Sequence, residues 1–230
     1  VTLWEFLQSR QDILIAQAQE HAGVVLVSMG IATVIGVLTG ALTYRKPRLS
    51  SLAISLSAAA LTIPSFALLG VLIGPLGLGY APTVVALVIY ALLPIIRNTV
   101  VGLAEVDPAL TEAARGVGMG RLRSLATVEF PIAWPVVLAG IRVSTQMIMG
   151  IAAIAAYVGG PGLGNQIFDG LSDLGGVNST NRALVGTIGV IVLALLFDLA
   201  LVLVGFLTVP RGVRTGWSPL ALFRRSLRVV

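Results

Sequence analysis

Five long apolar runs constrain this chain more than any other feature. They lie at about 24–43, 51–74, 82–103, 132–157 and 183–208, each near the roughly 20 residues a helix needs to cross about 30 Å of hydrocarbon. In lipid such a run must satisfy its own backbone donors and acceptors, which a helix does. Composition agrees: 57% of the 230 residues are hydrophobic and 11% are charged, against about 25% charged in soluble domains. The expected fold class is all-α, a polytopic membrane protein with about five transmembrane helices. Its expected organisation is an extracytoplasmic interfacial segment at 1–22, a transmembrane domain at 23–208 and a basic cytosolic tail at 209–230.

Within 1–22, Leu3, Trp4, Leu7 and Leu14 share one helical face and Glu5, Gln8, Ser9, Asp12 and Glu20 the other, which predicts a short helix lying on the membrane surface. The basic start and small-residue cleavage site of a signal peptide are not seen. Arg45, Lys46 and Arg48 follow the first run, Arg115, Arg121 and Arg123 follow the third, and Arg211, Arg214, Arg224, Arg225 and Arg228 follow the fifth. The opposite side carries only Arg10 and Arg182. Lys and Arg favour the cytoplasmic side, so the N-terminus is expected outside and the C-terminus in the cytosol of a cell whose inner, or cytoplasmic, membrane holds the chain. This clustering explains the net charge of +5 without a nucleic-acid partner, since no aromatic residues interleave the basic ones.

No cysteine is present, so disulfide, thiolate and Cys-metal chemistry are excluded. The single histidine, His21, is expected to be solvated rather than to bind a metal. There is no G-x-S-x-G, H-E-x-x-H or Walker A pattern, and Asp198 is the only carboxylate at bilayer depth, so no catalytic residue is assigned. The Gly-rich loop 159–182 lacks the Lys-Ser/Thr ending of a phosphate loop and predicts a turn with a short surface helix.

Between the third and fourth runs lies a polar, basic island, the loop 104–131. Asp107 supplies an N-cap oxygen and Pro108 fits the first helical position. From Pro108 to Val117, Ala109, Leu110, Ala113, Ala114 and Val117 fall on one arc and Thr111, Glu112 and Arg115 opposite. The apolar arc can be buried against a partner or against the chain's own spans. Gly116, Gly118 and Gly120 can supply a turn, and Arg121 to Phe130 can form a second helix that Pro131 stops.

Glu112-Ala113-Ala114, three residues, Gly118, nine residues, then Val128-Glu129-Phe130-Pro131 resembles the EAA signature of ABC importer permeases, with Val128 and Phe130 in place of its Ile and Leu. The flanking TIPSFALLG, YALLPIIRNTVVGL and YVGGPGLG resemble the branch that imports osmoprotectants such as glycine betaine, carnitine and choline. The resemblance covers about residues 24–208 and implies the type I ABC importer permease fold. It also implies two ABC ATPase subunits that bind ATP and Mg, a second permease subunit (the same chain or a related one), and an extracytoplasmic solute-binding protein. Carried over, Glu112 meets the ATPase, Ala113 and Ala114 allow close approach, Gly118 makes the turn, and Pro108, Leu110 and Pro131 complete the coupling segment. An importer for another small solute such as an amino acid, and a scaffold or channel with no ATPase, are the alternatives.

Pro64 and Pro94 predict kinks in the second and third spans. The GxxxG pair Gly36 and Gly40 predicts close helix packing within the subunit. Arg142 and Asp198 each lie ten residues from the cytosolic end of their span, about 15 Å deep at 1.5 Å per residue, and are expected to pair, with Arg97 as the fallback partner. Tyr90, Tyr157, Phe66 and Phe197 are candidates for lining a solute path.

Overall fold

The computed structural model describes residues 2–210 and 212. Apart from its first residues, the expected basic tail lies outside the described residues. The helices in chain order are α1 Leu3–Ser9, α2 Gln11–Thr43, α3 Pro47–Thr62, α4 Ser65–Leu76, α5 Tyr80–Ala104, α6 Pro108–Gly116, α7 Arg121–Ser124, α8 Phe130–Ala155, α9 Gly164–Ser172 and α10 Ser179–Thr208. A π turn, Leu125–Glu129, joins α7 to α8.

The bundle is built on α5, which packs along α2 and α8. Small residues set these approaches. A methyl group on Gly36 would come within 2.6 Å of Ile95, and one on Gly40 within 2.6 Å of Thr99. On the other side of α5, one on Gly140 would reach the Pro94 carbonyl at 2.6 Å. Leu87, Ile95, Leu138 and Ile148 fill the space between these helices and are fully buried. Leu195, Leu199 and Leu203 of α10 are exposed, as a lipid-facing or partner-facing surface would be.

Four helical segments are long and apolar enough to cross a membrane, and α3 with α4 forms a fifth crossing bent by 96°. The contacts fix the path of the bent pair. The end of α2, the end of α5 and the start of α8 meet where Tyr44, Leu103, Val106 and Ala133 cluster. Gly79, just before α5, bonds its N–H to Val158 O at the far end of α8. The chain therefore leaves one end of the bundle at Tyr44 and regains the other by Gly79, so α3 and α4 together traverse it. Trp134 Nε1 donates to Thr208 Oγ1 at 2.7 Å, returning the end of α10 to the α6 end.

Four expectations are corrected. Residues 11–22 are not a separate surface segment but the first three turns of α2; only α1, capped by Thr2 and Glu5 in a reciprocal box, stands apart. His21 is fully buried rather than solvated, its Nε2 3.1 Å from Met149 O. Pro64 breaks its span instead of kinking it, because Ile63 before it is extended (φ −72, ψ 125) as a following proline favours. Tyr90 then donates to the Ile63 carbonyl at 2.7 Å, satisfying an acceptor the break frees. Pro131 does not stop a helix: the π turn runs on into α8, whose first turn needs no N–H from it.

Candidate functional site

The polar island forms a helix, a glycine turn and a second helical start. Asp107 caps α6, its carboxylate accepting from Ala109 N at 2.9 Å. Gly118 takes φ +83, and Val117 N and Met119 N bond back to Ala113 O and Ala114 O to close the helix end. Of the apolar arc only Ala114 is buried. Ala109, Ala113 and Leu110 are exposed, and so is Val117, at 74%. Pro108, Glu112 and Gly118 are also exposed. An apolar face held out beside a glutamate is suited to burial against another protein rather than against this chain.

α6 rests on α7 and the π turn, where Thr127 Oγ1 also reaches Met119 Sδ at 3.8 Å. The π turn, closed by Phe130 N to Leu125 O, presents Glu129, which is 1% exposed. Its two oxygens accept from three side chains. Arg45 Nη2 donates at 2.7 and 3.0 Å, Ser124 Oγ at 2.9 Å and Tyr44 OH at 2.5 Å. Burial, and next the bond to Glu129, pushes the Tyr44 phenol up to about 12, so it remains a donor throughout the physiological range. The bond to Glu129 also raises Arg45. Sequence reasoning used Glu129 only as a spacer in the signature. The signal that could have found it is a lone acid at the edge of an apolar run, at the same membrane boundary as Arg45.

Deeper in the bundle, Arg142 Nε and Nη2 donate to Asp198 Oδ1 and Oδ2 at 2.9 and 2.8 Å, and Gln146 Nε2 donates to Oδ1 at 3.0 Å. Arg97 is exposed and joins no ion pair among the described residues. The four candidate path aromatics do not converge. Tyr90 is buried on the Ile63 carbonyl, while Phe197 lines an apolar groove of about 680 Å³ with Trp134 and Leu201. Phe66 and Tyr157 do meet, edge to face at 5.2 Å, at the end remote from α6, and are joined by Phe168, which the sequence did not single out.

Residues 32–206 match the family described as binding-protein-dependent transport system inner membrane component. The carnitine transport permease protein OpuCB of Listeria monocytogenes is 36% identical over 209 residues, 91% of this chain and 94% of the relative. The osmoprotectant import permease protein OsmW of Salmonella typhimurium is 37% identical over 201 residues, 85% and 91% of the two chains. The choline transport system permease protein OpuBB of Bacillus subtilis is 33% identical over 210 residues, 91% and 95%. Among solved structures, an inward-facing MetNI methionine ABC transporter superposes with a TM-score of 0.70 at 23% identity, over 89% of this chain and 98% of that one. At that identity the likeness speaks for the fold alone.

Proposed function

The chain belongs to the family of binding-protein-dependent transport system inner membrane components, and from that membership we propose that it is the permease subunit of an ATP-driven importer for small osmoprotectants of the glycine betaine, carnitine and choline type. The observation that carries the coupling role is α6: a capped helix with an exposed apolar face and Glu112 beside it, at the end of the bundle rich in Lys and Arg. The solute class is supported by the names of relatives that align with most of this chain. In this reading ATP and Mg bind ABC ATPase subunits that grip α6 through the exposed Leu110, Glu112 and Ala113, while Ala114, buried against this chain, seats the helix and Pro108, Gly118 and Pro131 shape the segment.

Five traverses are few to enclose a path, so a second permease, identical or related, faces this one, and an extracytoplasmic solute-binding protein delivers the solute. The α6 end faces the cytosol and α1 the outside, following the basic residues. Phe66 and Tyr157 are retained as lining at the outer end, where aromatic faces suit a quaternary ammonium ion.

The test uses the absence of cysteine. A single cysteine at exposed Ala113 should react with a membrane-impermeant maleimide only from the cytosolic side. Co-expression of the cognate ABC ATPase should protect it. Labelling from outside, or labelling indifferent to the ATPase, would overturn the reading.

A further inference from the structure

We propose that Glu129 is a positioning residue for coupling: it makes the turn at the end of α2 move as one body with the segment that carries α6. The proposal rests on the reading of α6 as the helix an ATPase displaces. A displacement of α6 passes to the π turn and α7, the elements α6 rests on, and from the π turn into α8 through the chain itself. No segment joins the π turn directly to α2, which meets α5 and α8 by packing and must keep its place on them when access changes.

Beside the packing of Tyr44 with Leu103, Val106 and Ala133, the polar link between the two turns is Glu129. It gathers Tyr44 and Arg45, which follow α2 directly, and Ser124 from the end of α7. Because Glu129 is 1% exposed and accepts from Tyr44, Arg45 and Ser124, separating the α2 turn from the π turn would leave a buried charge without its Tyr44 and Arg45 donors. Stranding a buried charge is strongly unfavourable, so the two turns have one low-energy arrangement rather than a sliding contact. The π turn matters here because one extra residue in the helical turn re-aims the side chains that follow it. Such turns recur at functional positions for that reason.

A purely structural ion pair would contribute to folding and nothing else, so the test separates motion from stability. In the complete transporter with its ATPase and binding protein, spin labels at Leu42→Cys and Leu122→Cys report on the two sides of the link; these positions are 75% and 83% exposed and line one groove of about 530 Å³. Dipolar broadening between them should be the same in the nucleotide-free and vanadate-trapped states. In the double variant Arg45→Met/Glu129→Leu, which replaces the pair by apolar groups and leaves no stranded charge, broadening should differ between the two states. Solute transported per ATP hydrolysed should fall at least threefold. Should the double variant fail to accumulate, Glu129→Gln is read by the same two measures. A nucleotide-dependent change of broadening in the wild type, or a wild-type transport ratio in the variant, would overturn the role of Glu129 and leave the permease reading standing. Absent solute-stimulated ATP hydrolysis in the wild-type complex would overturn both.

Discussion

A charge held inside or at the edge of a bilayer persists only when partners surround it, and at the residue scale Asp198 shows what that demands. Its carboxylate takes three bonds from Arg142 and Gln146 one helix away. Loss of either charge leaves the other unpaired at a depth where insertion costs about 2.5 to 3.5 kcal/mol. Arg142→Leu and Asp198→Leu should each lower the yield of folded protein in detergent, and the double variant should recover part of the loss; additive losses would show that the pair contributes no coupling energy. This pair was legible because both residues interrupt apolar runs at equal distances from their span ends. Glu129 was not: a residue written Val-Glu-Phe-Pro looks like the end of a helix, and only the π turn and the arrival of Tyr44 and Arg45 make it buried. His21 was misjudged for a related reason. A histidine among glutamines suggests a wetted face, yet Gln17 accepts from Gln166 of α9 at 2.9 Å, so that polar stripe is covered by chain from the other end of the sequence.

Elements show how local signals and packing divide the work. The caps of α6 were readable because Asp107, Pro108 and Gly118 act within one turn of themselves. The effect of a proline was less so, since Pro94 sits inside an unbroken α5 while Pro64 ends α3. The difference is tertiary: α5 is enclosed by α2, α3 and α8, which hold it helical through Pro94. Two predictions belong at this scale. Gly40→Val places carbon where Thr99 lies 2.6 Å away, and overpacking of that kind costs about 1–3 kcal/mol, so its thermal unfolding midpoint in detergent should fall. Glu112→Ala and Gly118→Trp, by contrast, alter exposed positions of the α6 unit. A side chain at Gly118 meets open space but an unfavourable φ, worth about 1–2 kcal/mol locally. Both should reach the membrane at near wild-type levels and lose most solute-stimulated ATP hydrolysis in the complex; full stimulation in both variants would remove α6 from the coupling path.

For the whole molecule, the five apolar runs carried the architecture because lipid leaves so few alternatives to a helix. What they could not carry was the shape of the second crossing, decided at Ile63, or the extension of α2 to Gln11, decided by burial of Leu14 and His21. The resulting bundle puts α6 and the end of α10 at one end and α1 at the other, with a mostly apolar flank on α10. The chain contains no nucleotide motif of its own. The most direct test of the central claim is uptake of radiolabelled glycine betaine, carnitine or choline into proteoliposomes. Vesicles holding this chain with its ATPase, its partner permease where one is encoded, and its binding protein should accumulate at least one of these solutes only when ATP is supplied on the α6 side. Vesicles holding the chain alone should accumulate none. Uptake by the chain alone, or by the complex without ATP, would contradict the account.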